Sequence, residues 1–457
     1  MQLSHTRSTT SVVFDEPNLV SAAGLVPVLR LAGSAGLHGL SDRWLSVPTD
    51  KGANAGLKVA ALVAGMVAGA DSIDDMRLLR HGGMGRVFTG CYAASTLGSF
   101  LRAFTFGHVR QLDAVASRFL AGLAAGTPLL AGDGPVLVDL DDTIVEVHGY
   151  AKQGAEFGYS KVRGLNALLA TAGTAGSAPV VVAQRLRKGA AASARGARRL
   201  VADALRSVSR MAPGRPVLLR ADSAFYGRDT VTTAVRAGAE VSVTVRQDAR
   251  IKAAIGGIPD DAWTPIAYRE AVYDEITGRW VSRAEVAEVP FVAFGSRPKN
   301  QQVPGRLVVR RIPELNPNSQ DGLFDVWRFH AFFTTSDLDT VTADKAHRGH
   351  AIIEQVHADL KNSALAHLPS GKFTANAAWL VLAVIAFNLT RAAATLTGPH
   401  LAKATTGTIR RTLISVPARI ATSARRLLLH LPHGWPWQEA WNRLFHRACG
   451  PPAAAAT

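Results

Sequence analysis

The chain has 457 residues, with 51 Lys and Arg against 35 Asp and Glu, a formal net charge of +16. At roughly 100–200 residues per domain, that length gives several domains and an ample core. The charge excess predicts an anionic partner, nucleic acid being the commonest. The two cysteines, Cys91 and Cys449, exclude a disulfide framework and form no metal pattern.

The N-terminus, Met1-Gln2-Leu3-Ser4-His5, lacks the charged-then-apolar pattern of a signal peptide. Two apolar stretches read as buried core helices and not as membrane spans. Residues 59–70 are too short, and residues 373–390 are interrupted by Thr374, Asn376 and Asn388. The expectation is a soluble cytoplasmic protein without membrane contact.

Residues 1–50 are mixed, punctuated by Pro17, Pro27 and Pro48. Residues 51–124 read as helical. Ser72-Ile73-Asp74-Asp75 resembles a capping box. Gly82-Gly83 breaks the pattern, and Ser95-Thr96 is placed to cap a helix running through Phe100 and Phe104 to Leu120. Arg77, Arg80, Arg86, Arg102 and Arg110 make this region basic. It reads equally as a DNA-contacting domain or as a bundle with solvated arginines.

Glycines and prolines at 126–135 mark a boundary, after which strands are predicted at 136–140, 143–147, 165–170 and 180–184. Between the second and third lies a hairpin-like loop, residues 149–161. It interleaves Tyr150, Phe157 and Tyr159 with Lys152 and Lys161, a mix suited to phosphates and unstacked bases or simply to a glycine-rich surface loop. A helix over 191–211, a strand over 216–221, a helix over 228–237 and a strand over 239–245 follow. Hairpin-connected strands leading into α/β units predict an RNase H-like mixed sheet. Residues 247–328, with Trp263, Trp280 and Trp327 and short alternating segments at 291–294, 306–311 and 327–333, read as a β-rich insertion.

Residues 340–360 read as one helix. At ~100° per residue its polar face carries His347, His350, Glu354, His357 and Lys361. Ile352, Ile353, Val356 and Leu360 give it a side to bury. That face is either a solvated stripe or a working one. A zinc site from His350, Glu354 and His357 lacks the His-Glu-x-x-His spacing. An apolar helix then runs to about residue 394. The C-terminal tail is basic, with Lys403, Arg410, Arg411, Arg419, Arg425, Arg426, Arg443 and Arg447 against Glu439, and residues 451–457 read as disordered.

The candidate chemistry lies in carboxylates at strand ends. Val136-Leu137-Val138-Asp139-Leu140-Asp141-Asp142-Thr143 is an apolar run ending in acids, and the strand over 216–221 ends in Asp222-Ser223. Read singly, each is also an acidic turn. Two strand-end aspartates with a helix glutamate can hold two divalent cations about 4 Å apart. Hard carboxylate oxygens suit Mg²⁺, whose remaining ligands are water and phosphate oxygens. No P-loop and no Gly-x-Ser-x-Gly elbow offers another route.

These motifs together resemble a DDE insertion-sequence transposase, of the insertion-sequence family numbered thirteen-eighty. The resemblance runs from about residue 10 to 395 and is densest in His347-Arg348-Gly349-His350-Ala351-Ile352-Ile353-Glu354-Gln355-Val356-His357-Ala358-Asp359-Leu360-Lys361. It continues through Leu365-Ala366-His367-Leu368-Pro369-Ser370-Gly371, Asn376-Ala377-Ala378-Trp379 and Phe387-Asn388-Leu389-Thr390-Arg391. Arg220-Ala221-Asp222-Ser223-Ala224-Phe225-Tyr226 resembles the family's second motif and Asp139-Leu140-Asp141-Asp142-Thr143 its first. The resemblance implies that Asp141, Asp222 and Glu354 are the catalytic, metal-binding triad. Asp139 and Asp142 compete for the first place, and Asp141 is preferred because Asp141-Asp142-Thr143 looks like the Asp-x-Thr form. Lys361 would match the lysine of the Tyr-Arg-Glu-Lys signature, with His347 and His350 standing where tyrosine and arginine are usual.

The implied protein is a DNA transposase with Mg²⁺ as cofactor, Mn²⁺ able to substitute. It would bind the terminal inverted repeats of its element, cleave at the ends and join 3′-hydroxyls to target DNA, as a homodimer in the synaptic complex of a bacterial nucleoid. Expected DNA contacts are Arg348, Lys361, His350, Tyr226, Lys152 and Lys161. The expected fold class is α/β: a helical DNA-binding and dimerisation region (1–130), an RNase H-like core (131–246 and 336–395) split by the β-rich insertion (247–335), and a basic helical tail (396–457). A non-catalytic DNA-binding regulator and an RNase H-like nuclease are the alternatives.

Overall fold

The computed structural model describes every residue except 2–3, 5–8, 49, 159, 267–271, 275–278, 282–283, 314–326, 424–425 and 451–457. Tyr159 of the aromatic loop therefore lies outside the described residues. The chain opens with a short strand, β1 (Leu19–Val20). The helices α1 (Leu25–Ser34), α2 (Leu37–Trp44), α3 (Ala55–Ala68), α4 (Met84–Val87), α5 (Ala94–Arg102) and α6 (Phe106–Gly126) follow. Pro27, read from the sequence as punctuation, sits in the first turn of α1. There its missing N–H has no intrahelical acceptor to serve. The Ser72 cap forms, with Ser72 Oγ donating to Asp75 at 2.7 Å and accepting from Asp75 N–H at 3.3 Å, but it starts only a 3-10 turn, Asp74–Leu79. The single helix expected through Phe104 is two. Thr105 starts α6 with its own capping box, its hydroxyl accepting from the His108 N–H.

The centre is one large mixed sheet. Its strands are β2 (Val136–Glu146), β3 (Glu156–Phe157), β4 (Arg163–Gly173) and β5 (Val180–Lys188). After α7 (Ala197–Met211) come β6 (Val217–Ala221), α8 (Arg228–Arg236), β7 (Glu240–Thr244), α9 (Ala249–Gly256) and β8 (Thr264–Pro265). A separate pair, β9 (Val272–Asp274) with β10 (Arg279–Val281), precedes β11 (Glu285–Ala293), β12 (Val303–Pro313) and β13 (Trp327–Thr334). The order is β3-β4-β2-β6-β7-β13-β12-β11-β8, with β5 also on β4. β2 and β4 are antiparallel, whereas β2, β6 and β7 are parallel. The strands of the β-rich region extend this same sheet, because β13 pairs antiparallel with β7 at Thr334↔Ser242.

The two short strands expected at 136–140 and 143–147 are one strand, so the acids lie within it and not in a turn. A strand tolerates such acids when each finds a partner or an open face. The expected helix over 340–360 is also interrupted: α10 (Thr340–Arg348), a 3-10 turn at Gly349–Ala351, then α11 (Ile352–Lys361).

Helix α12 (Phe373–Thr395) is long and apolar enough to cross a membrane, with mean hydropathy 1.7, yet its apolar window is 100% buried. It packs against α3, α5, α6 and β5. Burial of each large apolar side chain contributes about 1.5–3 kcal/mol, and the polar residues of α12 are matched. The Asn388 amide accepts from the Val181 N–H at 2.9 Å and donates to the Val181 carbonyl at 2.7 Å, closing the free edge of β5. Trp379 donates to Ala364 O at 2.7 Å, and Arg391 pairs with Asp359 at 2.9 Å.

The tail is not all helical as expected. After α13 (Pro399–Ala402) and α14 (Thr406–Ile409), β14 (Ala418–Ser423) and β15 (Arg426–His430) form a hairpin on β1, and α15 (Gln438–Cys449) ends the described chain. Buried Ala418 and Ile420 alternate with exposed Arg419, a period-2 pattern that the arginine content obscures.

Candidate active site

β2 and β6 run in parallel register, Asp139 opposite Arg220 and Leu140 opposite Ala221. One step further sets Asp141 beside Asp222, on strands about 4.8 Å apart and on the same face as Asp139 and Arg220. Asp222 ends its strand by capping the next turn, accepting from the Ala224 N–H at 2.9 Å.

The three acids of β2 have different surroundings. Asp139 is 2% exposed; both its oxygens are held by Arg220, at 2.7 and 2.8 Å, and His350 Nδ1 lies 3.1 Å away. Asp142 points to the other face, where Arg187 pairs with it at 2.9 Å and the Asn166 amide donates to it. Arg187 in turn donates to the carbonyls of Ala192, Ser193 and Arg195.

Asp141 has no such cation. It accepts the Asp142 N–H at 2.7 Å, and His357 Nδ1 stands 3.7 Å away. Burial pushes its carboxyl up to about 6; the Asp142 N–H bond opposes this and neighbouring Asp222 adds to it. Partial burial likewise raises Asp222. His357 cannot supply the missing charge, because burial and then Lys361 lower it to about 4, leaving the ring neutral near pH 7. Among the described residues no arginine or lysine pairs with Asp141 or Asp222, and the charge of His350 offsets their burial only in part; a hard divalent cation would balance the pair.

The Gly349–Ala351 turn and α11 run alongside β2, with His350 of the turn near Asp139, and His357 near Asp141 and Lys361 Nζ 3.4 Å from Ile144 O on the helix. Glu354 is exposed on that helix, one turn from each histidine. Among the described residues, no three His, Cys, Asp or Glu side chains converge closely enough to hold a metal ion. Asp141 and Asp222 come together, and Glu354 stands outside their ligand shell. The interruption before α11 has a visible cause. Arg220 donates to Ala346 O at 2.5 Å, and a Cβ on Gly349 would lie 2.7 Å from that guanidinium.

The six expected DNA contacts divide evenly. Lys161, Lys361 and Arg348 reach the surface, Arg348 while bonded to Asp344 at 2.8 Å. The other three are engaged internally. Lys152 donates to the Leu368 carbonyl, and burial lowers its pKa. Tyr226 stacks on Phe294 at 5.2 Å, burial pushing its hydroxyl up to about 12. His350 is turned towards Asp139. His347 is also inward: it bonds Ser242 and Thr244 at 2.9 and 3.0 Å, stacks on Phe332 at 4.0 Å, and is lowered to about 3, chiefly by burial.

Sequence reasoning missed Arg220, Arg187 and Asn166. A signal for Arg220 existed: an arginine two residues before Asp222, inside an apolar strand, needs a carboxylate on the adjacent strand.

The chain belongs to the family described as transposase DDE domain group 1, whose model matches residues 4–448. Among solved structures, it is similar to a cryo-EM structure of a piggyBac transposase synaptic complex with hairpin DNA. The identity is 10%, with 85% of this chain and 79% of that chain covered and a TM-score of 0.43. No curated protein matches the chain.

Proposed function

We propose that this transposase binds the terminal inverted repeats of an insertion sequence of the family numbered thirteen-eighty, cleaves at its ends and joins 3′-hydroxyls to target DNA. The reading takes β5, β4, β2, β6 and β7 as an RNase H-like core. Asp141, Asp222 and Glu354 would carry the reaction, and a homodimer would bring two ends together. One observation carries the assignment of the first two acids. Of the four aspartates around the junction of β2 and β6, Asp139 and Asp142 are neutralised by buried arginines, whereas among the described residues Asp141 and Asp222 have no arginine or lysine partner and lie side by side.

Mg²⁺, or Mn²⁺ in its place, fits that pair; when bound, it would activate the attacking hydroxyl and balance phosphodiester charge. The chain's own residues do the rest. Arg220 and Asp139 fix the two strands, so the acids keep their spacing. The Asp142 N–H holds one Asp141 oxygen, leaving the other for a ligand. Lys361, exposed at the end of α11, would meet DNA phosphate. Glu354 would complete the set from the helix.

The standing of Glu354 outside the pair favours one other reading, a regulator that binds ends without cutting. Cleavage by the wild-type chain separates the two, and Asp222→Asn then tests the site. On the transposase reading that substitution abolishes cleavage while end binding survives; an unaltered cleavage rate would sink the assignment.

A further inference from the structure

On the face of the sheet opposite Asp141, a cleft of about 180 Å³ opens between α6, α7 and β5. Arg185 lies two residues before Arg187, the partner of Asp142, and so shares that opposite face. Five arginines line the cleft around two aspartates, Arg118 being turned to the Ala114 carbonyl at 3.0 Å. Asp203 takes bonds from Arg110 at 3.1 Å, Arg185 at 3.1 Å and Arg206, while Asp113 takes Arg110 at 2.7 Å. Arg210 donates to the Ser117 hydroxyl at 2.9 Å and, among the described residues, has no carboxylate partner. Arg185 Nε is buried and has no acceptor among the described residues.

An excess of forked donors held in a walled cleft, five arginines to two aspartates, calls for a tetrahedral oxyanion. Guanidinium groups bind phosphate oxygens through paired N–H bonds and lose little conformational freedom in doing so. The outer face of α7 continues the positive charge with exposed Arg198 and Arg199, so a phosphate here can belong to a longer polyanion. We propose that the α6–α7 cleft is a phosphate-binding site, remote from the carboxylate pair. Its ligand is either a backbone phosphate of DNA or a free inorganic oxyanion. Only the DNA source rests on the transposase reading.

The test uses the full chain and an Arg206→Gln/Arg210→Gln variant, both positions being exposed. In one arm, inorganic phosphate is titrated against potassium chloride at matched ionic strength and the melting temperature is followed. In the other, affinity for a duplex of unrelated sequence is measured against salt. If the ligand is a free oxyanion, phosphate raises the melting temperature beyond chloride and the variant loses the rise. If it is DNA, the variant's slope of log K against log salt is shallower by about 0.9 for each DNA phosphate that the variant no longer neutralises.

No response to phosphate beyond chloride, together with an unchanged salt slope, would overturn the proposal. Should the double variant melt early without ligand, Arg206→Gln alone is tested the same way. Failure of end cleavage leaves both arms readable, and failure of both arms leaves cleavage untouched, so the two readings fail separately.

Discussion

Arg220 fastens three elements at once. It spans from β6 to Asp139 on β2, reaches Ala346 of α10, and is packed against Gly349. Its side chain and that of Asp139 are each 3% exposed. Arg220→Ala therefore leaves a buried carboxylate with His350 as its remaining partner and little access to water. Breaking a buried pair from one side costs about 3–5 kcal/mol, whereas replacing both partners by apolar groups of similar volume is often neutral. Urea unfolding of the full chain should show that loss for Arg220→Ala, and the double variant Arg220→Met/Asp139→Leu should recover most of it. Without the Ala346 bond, the segment that carries Glu354 is also unlatched, so residual cleavage should fall even below the unfolding transition. A loss under about 1 kcal/mol, or a double variant as unstable as the single one, would refute this account of the clamp.

Asn388→Ala should cost about 1–3 kcal/mol for each Val181 group left unpaired, read by thermal unfolding and by faster amide exchange at Val181. His347 is lowered in the folded state to about 3 from an ordinary 6.5. The unfolded chain therefore binds a proton first, and stability is full above about 6.5 and lost as pH falls from there towards 3. His347→Gln should flatten part of that acid limb in pH-dependent unfolding. Asp141, raised to about 6, must lose its proton to take a cation. Mn²⁺ affinity by calorimetry should fall as pH drops below about 6, and Asp141→Asn should remove most of that dependence.

The legible parts of the fold were those with strong local patterns. β6 and Asp222 follow from an apolar run ending in an acid, and α12 from a long apolar stretch with scattered amides. The buried state of α12 is reinforced by what Asn388 does, since an amide in such a helix must find partners. Three features were hidden. The continuity of β2 through Asp139, Asp141 and Asp142 depends on Arg220 and Arg187, which come from strands distant in sequence. The break at Gly349 depends on the same Arg220 guanidinium. The β14–β15 hairpin is masked because Arg419 and Arg426 blend it into a basic tail and only β14 shows a clear period-2 burial.

For the candidate site, sequence spacing placed His350, Glu354, His357 and Lys361 on one helix face. It could not show that His350 is spent on Asp139, or that His357 is neutral beside Asp141. Competition among the three acids of β2 could not be resolved from spacing either. In the folded chain the three differ in charge compensation, and that difference supports the proposed choice of Asp141.

The most direct measurement is cleavage and joining on labelled DNA carrying the inverted repeats that flank the gene, in Mg²⁺ and in EDTA, for the wild-type chain and Asp222→Asn. The account predicts metal-dependent cuts at the repeat boundary followed by joined products for the wild type. For Asp222→Asn it predicts neither, with end binding intact. Cuts that survive the substitution, or that persist in EDTA, would contradict it.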